Sequence, residues 1–212
     1  MKNFTYQIPT KFVFGRGAEA QAGAEVRALG GTKVLIHYGG GSAVRSGLID
    51  RVKKSLDEAG IAHVELGGVK PNPRDTLVYE GIALARKENV DFVLAVGGGS
   101  VIDSSKAISH GLQYDGDFWD FWCGKAKPEK TTPFGVVLTM SAAGSESSNS
   151  CVITQESTLT KRGLRTELNR SRFAIMNPEL AMTLPPYQIA CGARTSWRTS
   201  WSAILPTKPR LT

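Results

Sequence analysis

A chain of 212 residues, 41% apolar and 21% charged, can bury a sizeable core and is long enough for one large domain or one and a half, which excludes fibrous and disordered classes. Its three cysteines, Cys123, Cys151 and Cys191, are odd in number and lack CxxC spacing, so neither a disulfide framework nor a zinc knuckle is indicated, and a reducing cytoplasm is the expected compartment. The net charge of +7 argues only weakly for nucleic acid, because Arg194, Arg198, Lys208 and Arg210 supply +4 of it in the acid-free end of the chain, and the remainder is interleaved with acids.

The segment from Asn3 to Gly15 carries Phe12 and Phe14 at strand spacing and reads as an opening β segment, followed by an Ala-rich helix from about Ala18 to Leu29. Lys33 to Tyr38 reads as a strand ending in Gly39, Gly40, Gly41 and Ser42. Val44, Leu48, Val52 and Leu56 then recur every fourth residue, on one side of a helix that Gly60 closes. Ile61 to Leu66 is a third strand, Pro71-Asn72-Pro73 forces a loop, and a helix follows from about Arg74 to Asn89. Asp91 to Val96 is a strand, residues 100–112 a helix, and Phe134 to Leu138 another buried strand. Strands alternating with helices at this spacing predict an α/β fold, a parallel sheet covered on both faces. No apolar run approaches a membrane span, and the N-terminus MKNFTYQIPT has no hydrophobic signal core. The basic cluster Lys161, Arg162, Arg165, Arg170 and Arg172 reads as a solvated face.

The most informative stretch is VLAVGGGSVIDSSK, Val93 to Lys106, where four apolar residues run into three glycines, a serine and a helix. Gly97, Gly98 and Gly99 lack Cβ atoms, so the backbone can take φ > 0 and bring its N–H groups against an anion. Ser100 can cap the helix, whose N-terminus carries unpaired donors and the positive end of the dipole. The spacing matches neither GxGxxG nor the P-loop, so on local pattern alone a plain tight turn stays open. Ser100-x-x-Asp103 likewise has the form of a capping box, which leaves Asp103 as a helix-end acceptor or a ligand contact. His37, His63 and His110 have no spacing that converges on a metal, and the aromatic run of Trp119, Phe121 and Trp122 reads as packing beneath a loop in preference to a substrate wall.

The blocks NFTYQIPTKFVFGRG, YGGGS, PNPR, DFVLAVGGGSVIDSSKAI, DGDFWDFW, LTMSAAGSE and FAIMNPELAMTLPPYQIACGA, spread from Asn3 to about Ala193, resemble the iron-containing (group III) alcohol dehydrogenases, NADPH-dependent butanol dehydrogenases in particular. The resemblance implies a Rossmann-like nucleotide-binding domain, the N-terminal half of the dehydroquinate synthase-like fold. It implies that Gly97, Gly98, Gly99 and Ser100 hold a pyrophosphate, that Asp103 lies beside the nicotinamide and substrate, and that Gly39, Gly40, Gly41 and Ser42 meet the adenosine ribose. Asn72, Thr139 and Lys161 match further cofactor contacts, each with an alternative, as a turn residue, a strand end and a surface charge respectively. NAD-preferring relatives place an aspartate at the end of the second strand; Tyr38 and Gly39 stand here, which favours NADP over NAD. Ala143 replaces a common threonine, removing one hydroxyl.

The family's reaction also uses Fe²⁺ or Zn²⁺, held by an aspartate and three histidines of a helical second domain, to polarise the alcohol or aldehyde oxygen. The first two of those ligands form a D-x-x-x-H pair on a helix expected just after Ala193, where this chain reads RTSWRTSWSAILPT. Shifted by one base, suitable codons for that tail encode Asp-Ile-Met-Ala-His, so a frameshift near Ala193 is expected to have replaced the metal domain. Sequencing the gene tests this, since no such frame beneath the tail contradicts it. The expected organisation is therefore a nucleotide-binding domain over residues 1–193 and an ill-ordered tail over 194–212, interrupted by Pro206 and Pro209. The implied function is the cofactor-binding half of an NADP(H)-dependent reductase of small aldehydes to primary alcohols, inert alone, with no nucleic-acid or membrane partner. A face stripped of its covering domain would favour a homodimer or aggregation. A non-catalytic nucleotide-binding module is the alternative, and a glycerol-1-phosphate dehydrogenase-like or dehydroquinate synthase-like relative a weaker one, lacking the WDFW and TLPP blocks.

Overall fold

The computed structural model describes residues 7–182 and 184–204. In chain order it contains β1 (Lys11–Phe14), α1 (Ala22–Ala28), β2 (Lys33–Gly39), α2 (Ser42–Arg45), α3 (Leu48–Glu58), β3 (Ala62–Val69), α4 (Asp75–Lys87) and β4 (Phe92–Gly97). It continues with α5 (Gly99–Gly111), α6 (Trp119–Cys123), β5 (Phe134–Leu138), β6 (Ser150–Gln155), β7 (Thr160–Arg165), β8 (Phe173–Met176) and α7 (Pro186–Ile204). Six strands form one parallel sheet in the order β1-β8-β5-β4-β2-β3, and β6 and β7 pair apart from it as an antiparallel hairpin.

Strand periodicity explains the layers. On β2 and β4, Val34, Ile36, Phe92, Leu94 and Val96 face one way and pack under Val26 of α1 and Val52 and Leu56 of α3. Leu35, Val93 and Ala95 face the other way, against Val78 and Ile82 of α4 and Ile102 and Ile108 of α5. β4 and β5 are buried at every residue, as expected of central strands with helices on both sides. The two faces close on stacked rings of Phe92 and Phe173, 5.9 Å apart, and on an aromatic group in which Trp119 stacks on Trp122 at 6.3 Å. Trp119, Phe121 and Trp122 are buried, so the WDFW segment packs into the core. Cys123, Cys151 and Cys191 are all free thiols, and no helix among the described residues is long and apolar enough to cross a membrane.

The structure departs from the sequence expectation in three places. The four-residue repeat from Val44 to Leu56 is two helices, because Gly47 turns left-handed at φ 68° between them, and this leaves Val44 exposed while Leu48, Val52 and Leu56 are buried. The β6–β7 hairpin and β8 carry no strong alternation in sequence; TKRGLR of β7 holds a single buried side chain, Leu164. The tail is expected to lose order after Ala193, yet α7 runs on to Ile204. No glycine or proline lies between Gly192 and Pro206, so nothing in that stretch stops a helix, and Ser196 donates to the carbonyl of Ala142 at 2.8 Å. Pro206 and Pro209 lie outside the described residues.

Topology fixes where a ligand can enter. From β2 the chain moves outward to β3, whereas from β4 it moves to β5 on the other side, so the strand order reverses between β2 and β4. Open parallel sheets leave a crevice at the carboxyl ends of strands at such a reversal.

Candidate functional site

Both glycine-rich turns sit at that reversal. Gly97 ends β4, Gly98 precedes α5, and Gly99 and Ser100 open it. None of these glycines has a positive φ; Gly98 is extended, at φ −94° and ψ −169°. At Gly97 the need for glycine is steric. A Cβ at Gly97 would lie 2.5 Å from Cγ2 of Val101, so only a bare backbone lets α5 start this close to the strand. At Gly98 and Gly99 it would meet Met140 at 3.6 Å and Ser145 at 3.9 Å, ordinary packing distances that leave room for a methyl group. The first bond of α5 runs from the N–H of Ile102 to the carbonyl of Gly98 at 3.1 Å, so the N–H groups of Gly99, Ser100 and Val101 have no acceptor within the helix. No side chain caps it either, which sets aside the capping box of Ser100 and Asp103. Three such donors at the positive end of a 13-residue helix suit an anion. Gly97→Ala is expected to push α5 off the strand at a cost of about 1–3 kcal/mol, read as a lowered urea midpoint.

Asp103 is turned into the protein. Ser145 Oγ donates to its Oδ1 at 2.6 Å, the N–H of Val152 to Oδ2 at 2.9 Å, and Lys106 Nζ stands 3.7 Å away. Cys151 beneath it is buried with Sγ 3.1 Å from the Asp103 carbonyl oxygen, and burial pushes its thiol well above the ordinary value, so it stays protonated.

The second turn begins at Gly39, the last residue of β2, and Gly41 supplies the left-handed residue, φ 113°, that lets the chain enter α2 at Ser42. Thr139 lies beside both turns, its N–H bonded to the carbonyl of Gly97 at 3.1 Å. Ser42, Arg45 and Thr139 line a cleft of about 750 Å³ together with Asn177, Leu180 and Gln188. The cleft also reaches the buried Glu19, which accepts from Arg51 Nε and Asn177 Nδ2, both at 2.9 Å. Burial alone would raise the carboxyl of Glu19, but bonds from its own N–H, Asn177 and Arg51 hold it below the usual carboxylate range.

Asn72 and Lys161 meet each other. Asn72 takes a left-handed turn at φ 58° and accepts from Lys161 Nζ at 2.7 Å, and the same loop is stitched to β6 by the N–H of Thr154 on the Pro73 carbonyl at 2.9 Å. Neither residue lines the 750 Å³ cleft.

Residues 9–178 match the model of the family described as iron-containing alcohol dehydrogenase. The chain belongs to that family. It is 45% identical over 192 residues to NADH-dependent butanol dehydrogenase A of Clostridium acetobutylicum, covering 91% of this chain and 49% of the relative. To the NADPH-dependent aldehyde reductase YqhD of Escherichia coli it is 37% identical over 196 residues, covering 91% and 49% respectively. The crystal structure of NADH-dependent butanol dehydrogenase A from Thermotoga maritima superposes with a TM-score of 0.89 at 45% identity over 92% of this chain and 49% of that one. The chain thus spans about half the length of the alcohol dehydrogenases it matches.

The metal in the family's name finds no ligand set here: among the described residues no three or more His, Cys, Asp or Glu side chains group to hold an ion. His37 and His110 are committed to the fold, and His63 lies 3.5 Å from Asp57 Oδ1. His37 is enclosed, with Nδ1 2.8 Å from the Leu66 carbonyl and Nε2 2.8 Å from Ser104 Oγ; His110 donates from Nε2 to Asn169 Oδ1 at 2.8 Å. Sequence reasoning missed Arg45, Asn177 and Lys106 as neighbours of the site. Only Lys106 had a legible signal, its i, i+3 spacing from Asp103.

Proposed function

We propose that this chain is the dinucleotide-binding half of an NADP(H)-dependent alcohol dehydrogenase or aldehyde reductase for small primary alcohols such as butanol, and that alone it binds cofactor without turnover. One observation carries the reading: two glycine turns stand side by side where the strand order reverses, one of them opening a helix with three N–H donors unmet within it. In this reading Gly97, Gly98, Gly99 and Ser100 hold the pyrophosphate, and Gly39, Gly40, Gly41 and Ser42 meet the adenosine ribose. Asp103 flanks the nicotinamide, and Thr139, Asn72 and Lys161 add cofactor contacts.

The NADP preference is supported by charge. β2 ends in Tyr38 and Gly39 in place of a carboxylate, Glu65 beside the Tyr38 hydroxyl is paired with Lys53 at 2.8 Å, and the exposed guanidinium of Arg45 lies 3.1 Å from where a Gly41 Cβ would be. The relatives' names include both cofactors. Fluorescence titration of the purified chain with NADPH and NADH tests the reading: tighter NADPH binding is expected, equal affinity contradicts the preference, and no binding of either contradicts the site. Arg45→Glu is expected to weaken NADPH about tenfold, about 1.4 kcal/mol, and to leave NADH within twofold.

Turnover of butanal with NADPH, with and without added Fe²⁺ or Zn²⁺, separates the inert half from a working reductase, and a rate above background contradicts inertness. A non-catalytic nucleotide-binding module is the second reading, favoured by the lack of a metal ligand set among the described residues. Self-association is a further expectation, supported by exposed Met182 and Ile189 along an apolar groove of about 390 Å³ between α7 and the turn at Pro178. A monomer by sedimentation at micromolar concentration contradicts it.

A further inference from the structure

Lys106 is wholly enclosed, and an ammonium group costs several kcal/mol to strip of water unless its donors are met. Here they are. Nζ donates to the carbonyls of Ser145 and Ser150 at 2.8 Å and of Ser148 at 3.2 Å, with Ser145 Oγ also at 3.2 Å. The segment from Ser145 to Asn149 has neither helix nor strand, and its backbone supplies little of its own bonding: the Ser148 N–H reaches the Ser145 carbonyl at 3.3 Å, and the Thr166 N–H reaches that of Asn149 at 3.0 Å. Side chains supply the rest: the hydroxyl of Ser171 on Glu146, Arg170 on Ser147, and the amide of Asn169 also on Asn149 at 2.9 Å. Every carbonyl from 145 to 150 is therefore held by a side chain, and Lys106 alone holds three of the six. Lys106 projects from the helix that the Gly97–Ser100 turn opens, and the segment it grips brings Ser145 opposite Gly99 and onto Asp103.

We propose that Lys106 is a positioning residue: its ammonium fixes the Ser145–Ser150 segment against the glycine turn, so that the nicotinamide side of the dinucleotide site is formed before cofactor arrives. The inference rests on the dinucleotide reading of the site. Preorganisation of this kind acts on affinity, because a segment already ordered loses no freedom on binding. It acts on one half of the ligand only, since the β2 turn that would meet the adenosine is built by other residues.

The test compares two probes on the intact chain, NADPH and adenosine 2′,5′-bisphosphate, which carries the adenosine half alone. Lys106→Met is expected to weaken NADPH at least tenfold while the bisphosphate stays within twofold, a split that general loss of stability does not produce. Equal weakening of both probes, or of neither, overturns the proposal. Should that variant fail to fold, Ser145→Ala keeps the lysine and removes one of its contacts. A several-fold loss for NADPH alone is then expected, and an unchanged NADPH affinity overturns the proposal. Wild-type chain that binds neither probe refutes the dinucleotide reading, whereas wild-type binding of both with indifferent variants refutes only the role of Lys106.

Discussion

Asp103→Ala is expected to lower the stability of the chain by about 3 kcal/mol, the lower end of what breaking a buried charge pair costs. The carboxylate is the anion paired with the enclosed Lys106, 3.7 Å from Nζ, and it also accepts from Ser145 Oγ and the Val152 N–H. Alanine leaves a buried cation with carbonyl dipoles for company and strands two donors, each of them costly to leave unmet. Asp103→Asn keeps the shape and one carbonyl acceptor, so about half of the loss is expected from it. Urea unfolding measures both, and the double variant with Lys106→Met should cost clearly less than the two single losses added, because removing both charges removes the mismatch. A loss below about 1 kcal/mol for Asp103→Ala contradicts this coupling of helix to segment.

Acid is expected to destabilise the chain well before its carboxylates titrate. Burial holds the imidazole of His37 down to about 4 against an ordinary 6.5, with the Leu66 carbonyl opposing that shift, and burial lowers His110 too. The folded chain therefore keeps both rings neutral where the unfolded chain protonates them. Stability from this source is full above pH 6.5 and is lost as the pH falls from 6.5 to about 4, at about 1.4 kcal/mol per unit. His37 alone accounts for about 3 kcal/mol across that window. Glu19, whose carboxyl is held low, adds its own loss only below about 4.5, so the two contributions separate on the pH axis. His37→Gln, which can still donate to Leu66 and accept from Ser104, is expected to flatten the slope between pH 6.5 and 4.5. Constant wild-type stability from pH 7 to 5 contradicts the argument.

The fold was legible wherever side-chain period decided burial. β2, β4 and β5 are short, largely apolar runs rich in Val, Leu and Phe, with glycine ending β2 and β4 and Pro133 ahead of β5, as suits strands covered on both faces, and their ends fell within a residue or two. Where local composition was indifferent, reading failed. TKRGLR of β7 becomes a strand through its partner β6, and the break in front of α3 depends on one left-handed glycine within an otherwise regular repeat. The glycine turns were legible as turns at the ends of β2 and β4, but the reason for each glycine was not. Gly97 makes room for Val101, and the positive φ belongs to Gly41. Asp103, open in sequence between a helix-end acceptor and a ligand contact, bonds to Ser145 and Val152, which lie more than 40 residues away in sequence. Contacts of that range leave no local trace, and neither did the meeting of Asn72 with Lys161.

Amide chemical shifts of ¹⁵N-labelled chain on adding NADPH report whether the cofactor lies across the turns at the ends of β2 and β4. The largest changes are expected at Gly98, Gly99 and Ser100 and at Gly40, Gly41 and Ser42. Unmoved amides there, with changes gathered around Lys70 and Arg74 in the separate cavity of about 190 Å³, would contradict that placement.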